Sequence, residues 1–233
     1  MSEFGGVVAV TCIALEARIA RSAGVTVLRK PSSQLGPALE AAIANGATGV
    51  ISFGIAGGLK PGLRAGTCVV ASGVRTADRV IATDAAWSRR LMAAIPDALH
   101  GEVFGSDIML SHPVQKQEIH ASSGALAVDM ESHVAAQVAA ARRVPFVACR
   151  IIIDAAHRTL PPASAVGLRE DGTTDILAVL GSVMREPGQI PDLIRTARDA
   201  RVAWRALWSA RHRLGAGLGF AEYEEPALSL AVA

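Results

Sequence analysis

Four acidic side chains follow apolar runs of this sequence, where they could serve as acids, bases or electrostatic partners. They are Glu16, Asp129, Glu131 and Asp154. A carboxylate at the end of an apolar run must be solvated, paired or used in chemistry, because burying an unpaired charge is costly. Each could also be an ordinary residue that caps a helix or a turn.

The apolar runs predict strands of a sheet that is covered on both faces, because they are continuous rather than alternating. The predicted strands are 6–13, 25–29, 49–55, 67–74, 125–130 and 145–153. Helical patterns separate them at 16–23, 34–46, 83–95 and 114–122, and a further helix opens at Glu131. This alternation predicts an α/β fold: a three-layer sandwich with a mixed, mostly parallel twisted sheet between helices.

A glycine-rich stretch, "FGIAGGLKPG", follows the predicted strand 49–55. Glycine lets the backbone approach a ligand closely, and exposed N–H groups there can bind an oxyanion or a hydroxyl. Gly54 and Gly57 are therefore candidate substrate-binding residues, although a tight turn would use the same glycines. The spacing does not match GxGxxG, so no dinucleotide site is predicted. Ligands of open α/β sheets bind outside the carboxyl ends of the strands, so this loop and the carboxylates are expected to share one site.

Composition limits the class of protein. Hydrophobic residues make up 51% of the 233 residues and charged residues 19%, which excludes a disordered chain. The net charge of +2 is too small to indicate a nucleic-acid partner. Cys12, Cys68 and Cys149 lie far apart, which favours buried thiols over a disulfide framework or a metal site. The sequence predicts neither a signal peptide nor a membrane span, so we expect a cytoplasmic protein.

Three motifs together resemble the nucleoside phosphorylase and 5'-methylthioadenosine nucleosidase family. They are "GxAGGL" at 54–59, "VDMES" at 128–132 and "VPFxxxRxxxD" at 144–154. The resemblance covers roughly residues 6–185 and implies an enzyme that cleaves the N-glycosidic bond of an adenosine-like purine nucleoside. Within the family, the chain resembles the hopanoid-associated phosphorylases, whose substrate is adenosylhopane.

The resemblance implies a role for each matching residue. Asp154 would be the general acid that donates a proton to purine N7, and Glu131 would bind the ribose hydroxyls with Met130 against the sugar face. Ala56 would contact the substrate together with the glycines beside it, and Met109 replaces the phenylalanine that stacks on adenine. The resemblance implies no metal and no organic cofactor, and the chain is expected to form a homo-oligomer, a dimer or larger.

The nucleophile is left open between water and phosphate. Glu16 matches the glutamate that activates water in the nucleosidases, whereas phosphorylases take phosphate as a co-substrate. A carboxylate would repel phosphate unless arginine offsets it, and Arg18 and Arg150 are the candidates, Arg150 being predicted as catalytic. Ile55 replaces a small hydroxyl residue of the nucleosidases. A non-catalytic nucleoside- or lipid-binding protein of the same fold is the alternative, which Ile55 and the missing aromatic ring would allow.

The segment 191–215 predicts a long amphipathic helix. Its apolar stripe comprises Leu193, Ala197, Ala200, Trp204, Leu207 and Trp208, and its arginines Arg195, Arg198, Arg201, Arg205 and Arg213 gather on the other face. Basic charge with tryptophan is typical of a helix on a membrane surface, here the inner face through 191–213. Packing on the domain or on a partner subunit would need the same stripe. We therefore divide the chain into a catalytic domain (1–190), this helix (191–215) and a tail (216–233).

Overall fold

The computed structural model describes residues 6–76, 78–161 and 185–221. The strands are β1 (Gly6–Thr11), β2 (Val25–Arg29), β3 (Ala47–Gly58), β4 (Cys68–Arg75), β5 (Val80–Ala82), β6 (Leu99–Gly105), β7 (Ala127–Asp129) and β8 (Phe146–Asp154). The helices are α1 (Ala14–Ala20), α2 (Ser32–Ala44), α3 (Ala85–Ala94), α4 (Pro113–Ser123), α5 (Ser132–Arg142) and α6 (Ile190–Leu214).

The described strands form one eight-stranded sheet that curls until it closes on itself. The closed part runs from β3 to β8, β4, β6 and β7 and back to β3. Strands β1 and β2 extend it beside β3, and β5 extends it beside β4. Three of the pairs, β3–β7, β4–β5 and β4–β8, are antiparallel, and the others are parallel. The predicted α/β fold with a mixed, mostly parallel sheet is confirmed.

Helices cover both faces of the sheet, as the continuous apolar runs predicted. In β1, Val7 and Ala9 pack into a core with α1, α3 and α6, whereas Val8 and Val10 pack into a second core with α2 and α5. Successive side chains of a strand point to opposite faces, so a strand between two helical layers must be apolar at every position.

Two strands, β5 and β6, were missing from the sequence prediction. Strand β6 has the sequence "LHGEVFG", in which only Val103 is buried. It lacks a continuous apolar run because its two ends are more exposed, but it joins β4 to β7 and so closes the sheet.

Helix α6 and the residues after it belong to the same core as the sheet. Ala203, Leu207 and Ala210 are buried there. The Trp87 indole donates a hydrogen bond to the Leu218 carbonyl at 3.0 Å, and its ring lies 4.6 Å from that of Phe220. Among the described residues, those on both sides of the boundary predicted at residue 190 therefore share one hydrophobic core. The rest of the predicted tail, 222–233, lies outside them.

The described residues contain no helix long and apolar enough to cross a membrane. The three cysteines are free thiols, and Cys68 and Cys149 are buried with their sulfur atoms 3.7 Å apart. No cluster of metal-ligating side chains occurs within the described ranges.

Candidate active site

A pocket of about 570 Å³ opens where β3, β7 and β8 end. Gly57 in β3 lies between Val128 of β7 and Asp154 of β8, so the glycine-rich loop and two of the acidic stretches meet at one point. The pocket is lined by Cys12, Ile13, Glu16, Ile55, Ala56, Gly57, Ile108, Met109, Leu110, Val128, Asp129, Met130, Glu131, Ile153, Asp154, Leu160, Leu193, Thr196, Ala197 and Ala200. The structure thus brings together the residues that the sequence predicted for the site, with the exceptions of Gly54 and Arg150.

Arg150 lies behind the pocket rather than in it. Its side chain is fully buried, and its guanidinium pairs with Asp129 Oδ2 at 2.5 Å and with Glu131 Oε2 at 3.3 Å. It also donates a hydrogen bond to Ser52 Oγ at 2.5 Å. The hypothesis that Arg150 holds phosphate therefore does not fit the geometry, because its donors already face protein acceptors. Arg18, the other candidate, has an exposed side chain and is not part of the pocket wall.

Glu16 is held at the pocket by three backbone donors. Its Oε2 accepts hydrogen bonds from the N–H groups of Cys12 and Ile13 at 2.9 and 2.8 Å. Its Oε1 accepts one from the Ile55 N–H at 2.8 Å. Burial raises the pKa of Glu16, and the nearby positive charge of Arg150 and these hydrogen bonds act against that rise.

Gly54 permits this arrangement although it does not line the pocket. A Cβ atom at this position would overlap the Glu16 carboxylate and lie 2.8 Å from Arg150 Nη1. Gly54 therefore allows a close approach, as predicted for this glycine, but the group that approaches it is the Glu16 carboxylate and not a ligand.

Glu131 stands at the amino terminus of α5, with Met130 beside it on the pocket wall. Burial, together with the neighbouring carboxylates of Asp129 and Glu16, raises the pKa of Glu131 to about 7 against the opposing charge of Arg150. Met130 is half-buried, and its carbonyl accepts a 2.5 Å hydrogen bond from Ser32. Glu131 can therefore change its ionisation near neutral pH.

Asp129 is paired with Arg150 and accepts a hydrogen bond from the first residue of α5. Besides the ion pair with Arg150, its Oδ1 accepts a hydrogen bond from the Ser132 N–H at 3.0 Å. The Ser132 hydroxyl donates to Asp129 Oδ2. Asp129 thus connects the start of α5 to Arg150 on β8 and fixes Glu131 relative to the sheet.

Asp154 is the last residue of β8 and lines the pocket. Burial raises its pKa, and the ammonium group of Lys116 on α4 acts against that rise. Lys116 forms a buried ion pair with Asp154 Oδ2. Sequence analysis missed Lys116, because a lone lysine in the pattern of a surface helix carries no sign that its side chain is buried.

Apolar side chains form the outer part of the pocket. Ile108 is 63% exposed, and Met109, the predicted replacement of an aromatic ring, is 37% exposed. Leu160 and the residues that α6 contributes continue this wall. The sequence pattern placed Leu193, Ala197 and Ala200 on the apolar stripe of α6, but it gave no sign that they face a ligand site.

A curled mixed sheet, with carboxylates around a pocket at its strand ends, defines an α/β protein whose pocket has the volume of a small-molecule site. A family model described as the Phosphorylase superfamily matches residues 30–180, well over half of the chain, and the protein belongs to that superfamily. The predicted class of enzyme, a nucleoside phosphorylase or nucleosidase, is confirmed at this level. Glu16 and α6 lie outside the matched residues.

Solved structures of several nucleosidases share the fold. The S-adenosylhomocysteine nucleosidase of Streptococcus pyogenes, in complex with 5-methylthiotubericidin, superposes with a TM-score of 0.63 at 13% identity, over 91% of this chain and 98% of that one. The 5'-methylthioadenosine/S-adenosylhomocysteine nucleosidase of Neisseria meningitidis gives 0.62 at 17% identity, over 88% and 97%. Futalosine hydrolase of Helicobacter pylori gives 0.61 at 14% identity, over 91% and 99%. A comparison with curated protein sequences found no match.

Proposed function

We propose that the protein hydrolyses the N-glycosidic bond of an adenosine-like purine nucleoside that carries a large apolar 5'-substituent. The observation that supports this most is the charge of the pocket wall. Every charged residue among the described lining residues is a carboxylate: Glu16, Asp129, Glu131 and Asp154. Cleavage of this bond places positive charge on the sugar, and fixed carboxylates stabilise a transition state of that charge.

Each of three carboxylates has a separate task in this mechanism. Asp154, whose pKa burial raises, donates a proton to N7 as the bond between the base and C1' breaks. Glu131 accepts hydrogen bonds from the ribose hydroxyls and, when ionised, favours the positive sugar. Glu16 accepts a proton from the attacking water, since a base held by three N–H groups has a fixed direction.

Water is favoured over phosphate as the nucleophile. A phosphate ion next to Glu16 would face a negative wall, because Arg150 is already paired with Asp129 and Glu131. Phosphate sites in proteins usually supply arginine, lysine or several free N–H groups. The N–H groups nearest Glu16, those of Cys12, Ile13 and Ile55, already donate to it.

The apolar outer wall supports a large 5'-substituent, as in adenosylhopane. Leu193, Ala197 and Ala200 of α6 face the pocket together with Ile108 and Leu160. Such a wall binds hydrocarbon, because each buried methylene contributes about 0.8 kcal/mol. Related folds include enzymes named for 5'-methylthioadenosine, S-adenosylhomocysteine and futalosine, which accords with variation at the 5' position.

The outer face of α6 supports a further proposal, contact with an anionic membrane surface. Ile194 and Trp208 are 49% and 42% exposed, and Arg198, Arg201 and Arg205 lie exposed between them along the helix. An apolar substrate of this class resides in membranes, so a basic face beside the pocket would bring the enzyme to its substrate.

The test is adenine release from adenosine and from 5'-alkylthioadenosines of increasing chain length, each with and without phosphate. We expect release without phosphate and kcat/KM that rises with chain length. The sugar product should be ribose from adenosine and 5-alkylthioribose from the 5'-alkylthioadenosines. A requirement for phosphate with ribose 1-phosphate as product would replace hydrolysis by phosphorolysis. Equal rates for all chain lengths would contradict the apolar 5' site. Tight binding without any release would favour the alternative of a non-catalytic binding protein, for which a buried acid at Asp154 has no use.

A further inference from the structure

Lys116 has an unusual environment for a lysine. It is fully buried, and it is the one buried residue of α4, a helix that is otherwise half-buried or exposed. Transfer of an ammonium group out of water is costly unless the group is paired. The lysine is paired in the described structure with Asp154, so the two charges depend on each other.

The ammonium group of Lys116 contacts three acceptors on one short stretch. It donates to Asp154 Oδ2 and also lies 3.5 Å from the Ala155 carbonyl and 3.3 Å from the Arg158 carbonyl. These contacts fix the end of β8 and the turn that follows it. Since Lys116 takes Oδ2, and Oδ1 accepts no hydrogen bond from the described residues, Oδ1 is the oxygen left for a ligand.

Few other charges act on Asp154. Asp199 of α6 is near enough to raise its pKa, but Asp199 itself pairs with the Arg158 side chain at 3.4 Å. Among the described residues packed around Asp154, the lysine is therefore the cation that directly opposes the effect of burial.

We propose that Lys116 is a positioning residue for the general acid, which directs Oδ1 of Asp154 toward the purine and stabilises the carboxylate left after proton transfer. This inference rests on the proposed function. In the reactive state Asp154 carries a proton on Oδ1, and Lys116 is an ammonium ion. The proton moves to N7 as the electron pair of the glycosidic bond moves to the base. The product state is an Asp154–Lys116 ion pair, while Lys116 keeps its own proton throughout.

The test compares the pH dependence of kcat/KM in the wild-type enzyme, Lys116→Met and Lys116→Arg. Activity should fall at alkaline pH as Asp154 loses its proton. Because a neighbouring opposite charge lowers a carboxyl pKa by about 1–3 units, the alkaline limb of Lys116→Met should move upward by about one pH unit or more. Lys116→Arg keeps the charge and should leave that limb near its wild-type position. Lys30→Met, at an exposed lysine, is the matched control.

Two results would overturn the inference. One is an alkaline limb of folded Lys116→Met that stays at the wild-type pH. The other is an alkaline limb of Lys116→Arg that moves upward by about one pH unit or more, as expected for loss of the charge. This second result can be obtained even if Lys116→Met does not fold. Asp154→Asn separates this inference from the proposed function. An active Asp154→Asn would refute the assignment of Asp154 as the general acid. An inactive Asp154→Asn, together with an unshifted alkaline limb in Lys116→Met, would refute only the role of the lysine.

Discussion

The buried carboxylates of the pocket differ in their partners, and the partners decide what each can do. Glu16 accepts from backbone N–H groups, Asp129 and Glu131 share one guanidinium, and Asp154 faces an ammonium group. Asp129 has its oxygens occupied by Arg150 and Ser132, so it serves the structure. Oδ1 of Asp154 accepts no hydrogen bond from the described residues, and burial raises the pKa of this carboxyl, as a proton donor requires.

At this scale we predict that Asp154→Asn lowers kcat for adenine release by ~10²-fold or more, because an amide cannot donate a proton to N7 in place of the acid. Circular dichroism and the melting temperature should show that the variant is folded. Asp97→Asn, at an exposed aspartate outside this pocket, is the matched control. Turnover close to that of the control would rule out Asp154 as the general acid.

Helix α6 has one apolar stripe, which is divided along the helix between the pocket and the core, and a separate basic face. Ala203 and Leu207 pack on the sheet, Leu193, Ala197 and Ala200 line the pocket, and the arginine-rich face is exposed. Of the two interpretations of the apolar stripe, packing is observed for Ala203 and Leu207, and lipid contact stays a prediction. Trp204 packs against the core, whereas Trp208 stays exposed and stacks on His212 with ring centroids 5.7 Å apart.

We predict that the wild-type protein sediments with vesicles that contain phosphatidylglycerol at low salt and is released at high salt. Arg201→Glu/Arg205→Glu should weaken the binding, since each basic residue near an anionic surface contributes about 1 kcal/mol. Its hydrolysis of a small soluble nucleoside should not change. Arg29→Glu/Arg89→Glu makes the same charge change at exposed sites on other elements. Wild-type protein that stays in the supernatant at low salt would restrict α6 to packing and to the pocket wall.

An excess of buried negative charge at the site reduces the stability of the whole molecule. Three buried carboxylates, Glu16, Asp129 and Glu131, act on a single buried guanidinium, that of Arg150. Such an excess of negative charge favours a positive transition state but opposes folding when all the carboxylates are ionised. Stability of the fold should therefore depend on pH.

We predict that Glu131→Gln raises the melting temperature at pH 8 relative to wild type but changes it little at pH 5. The folded-state pKa of Glu131 is about 7, above its ordinary value of 4.5, so the folded protein binds the extra proton more tightly. Wild-type stability then falls as pH rises from about 4.5 to 7, by up to ~3 kcal/mol, and glutamine removes that loss. The corresponding change in melting temperature is about 2–4 °C per kcal/mol. Calorimetry at both pH values checks this, and an equal difference at pH 5 and pH 8 would contradict the assigned ionisation.

The sequence by itself determined the fold class and seven of the residues that line the pocket, among them Glu16, Glu131 and Asp154. Continuous apolar runs indicated a sheet covered on both faces. Ligands of such sheets bind outside the carboxyl ends of the strands, which predicted that Glu131, Asp154 and the glycine loop share one site. The structure brings them together with β8 parallel to β3 and β7 antiparallel to it. The same local signals were too weak for β6, whose ends are more exposed, although it completes the closed sheet. They showed that Arg150 needs a charged partner because it lies within an apolar strand, but they could not identify that partner.

Only the tertiary structure decided which charges pair. Lys116 is 38 residues from Asp154, and Arg150 is 19 residues from Glu131. Neither separation leaves a periodic signal, because such pairs form only when helices and strands pack. The same is true of α6, whose apolar stripe lines the pocket near its amino terminus and packs in the core from Ala203 onward. Local periodicity shows which face of a segment is apolar. Packing determines whether that face contacts the core or a ligand, and which charged side chains form pairs.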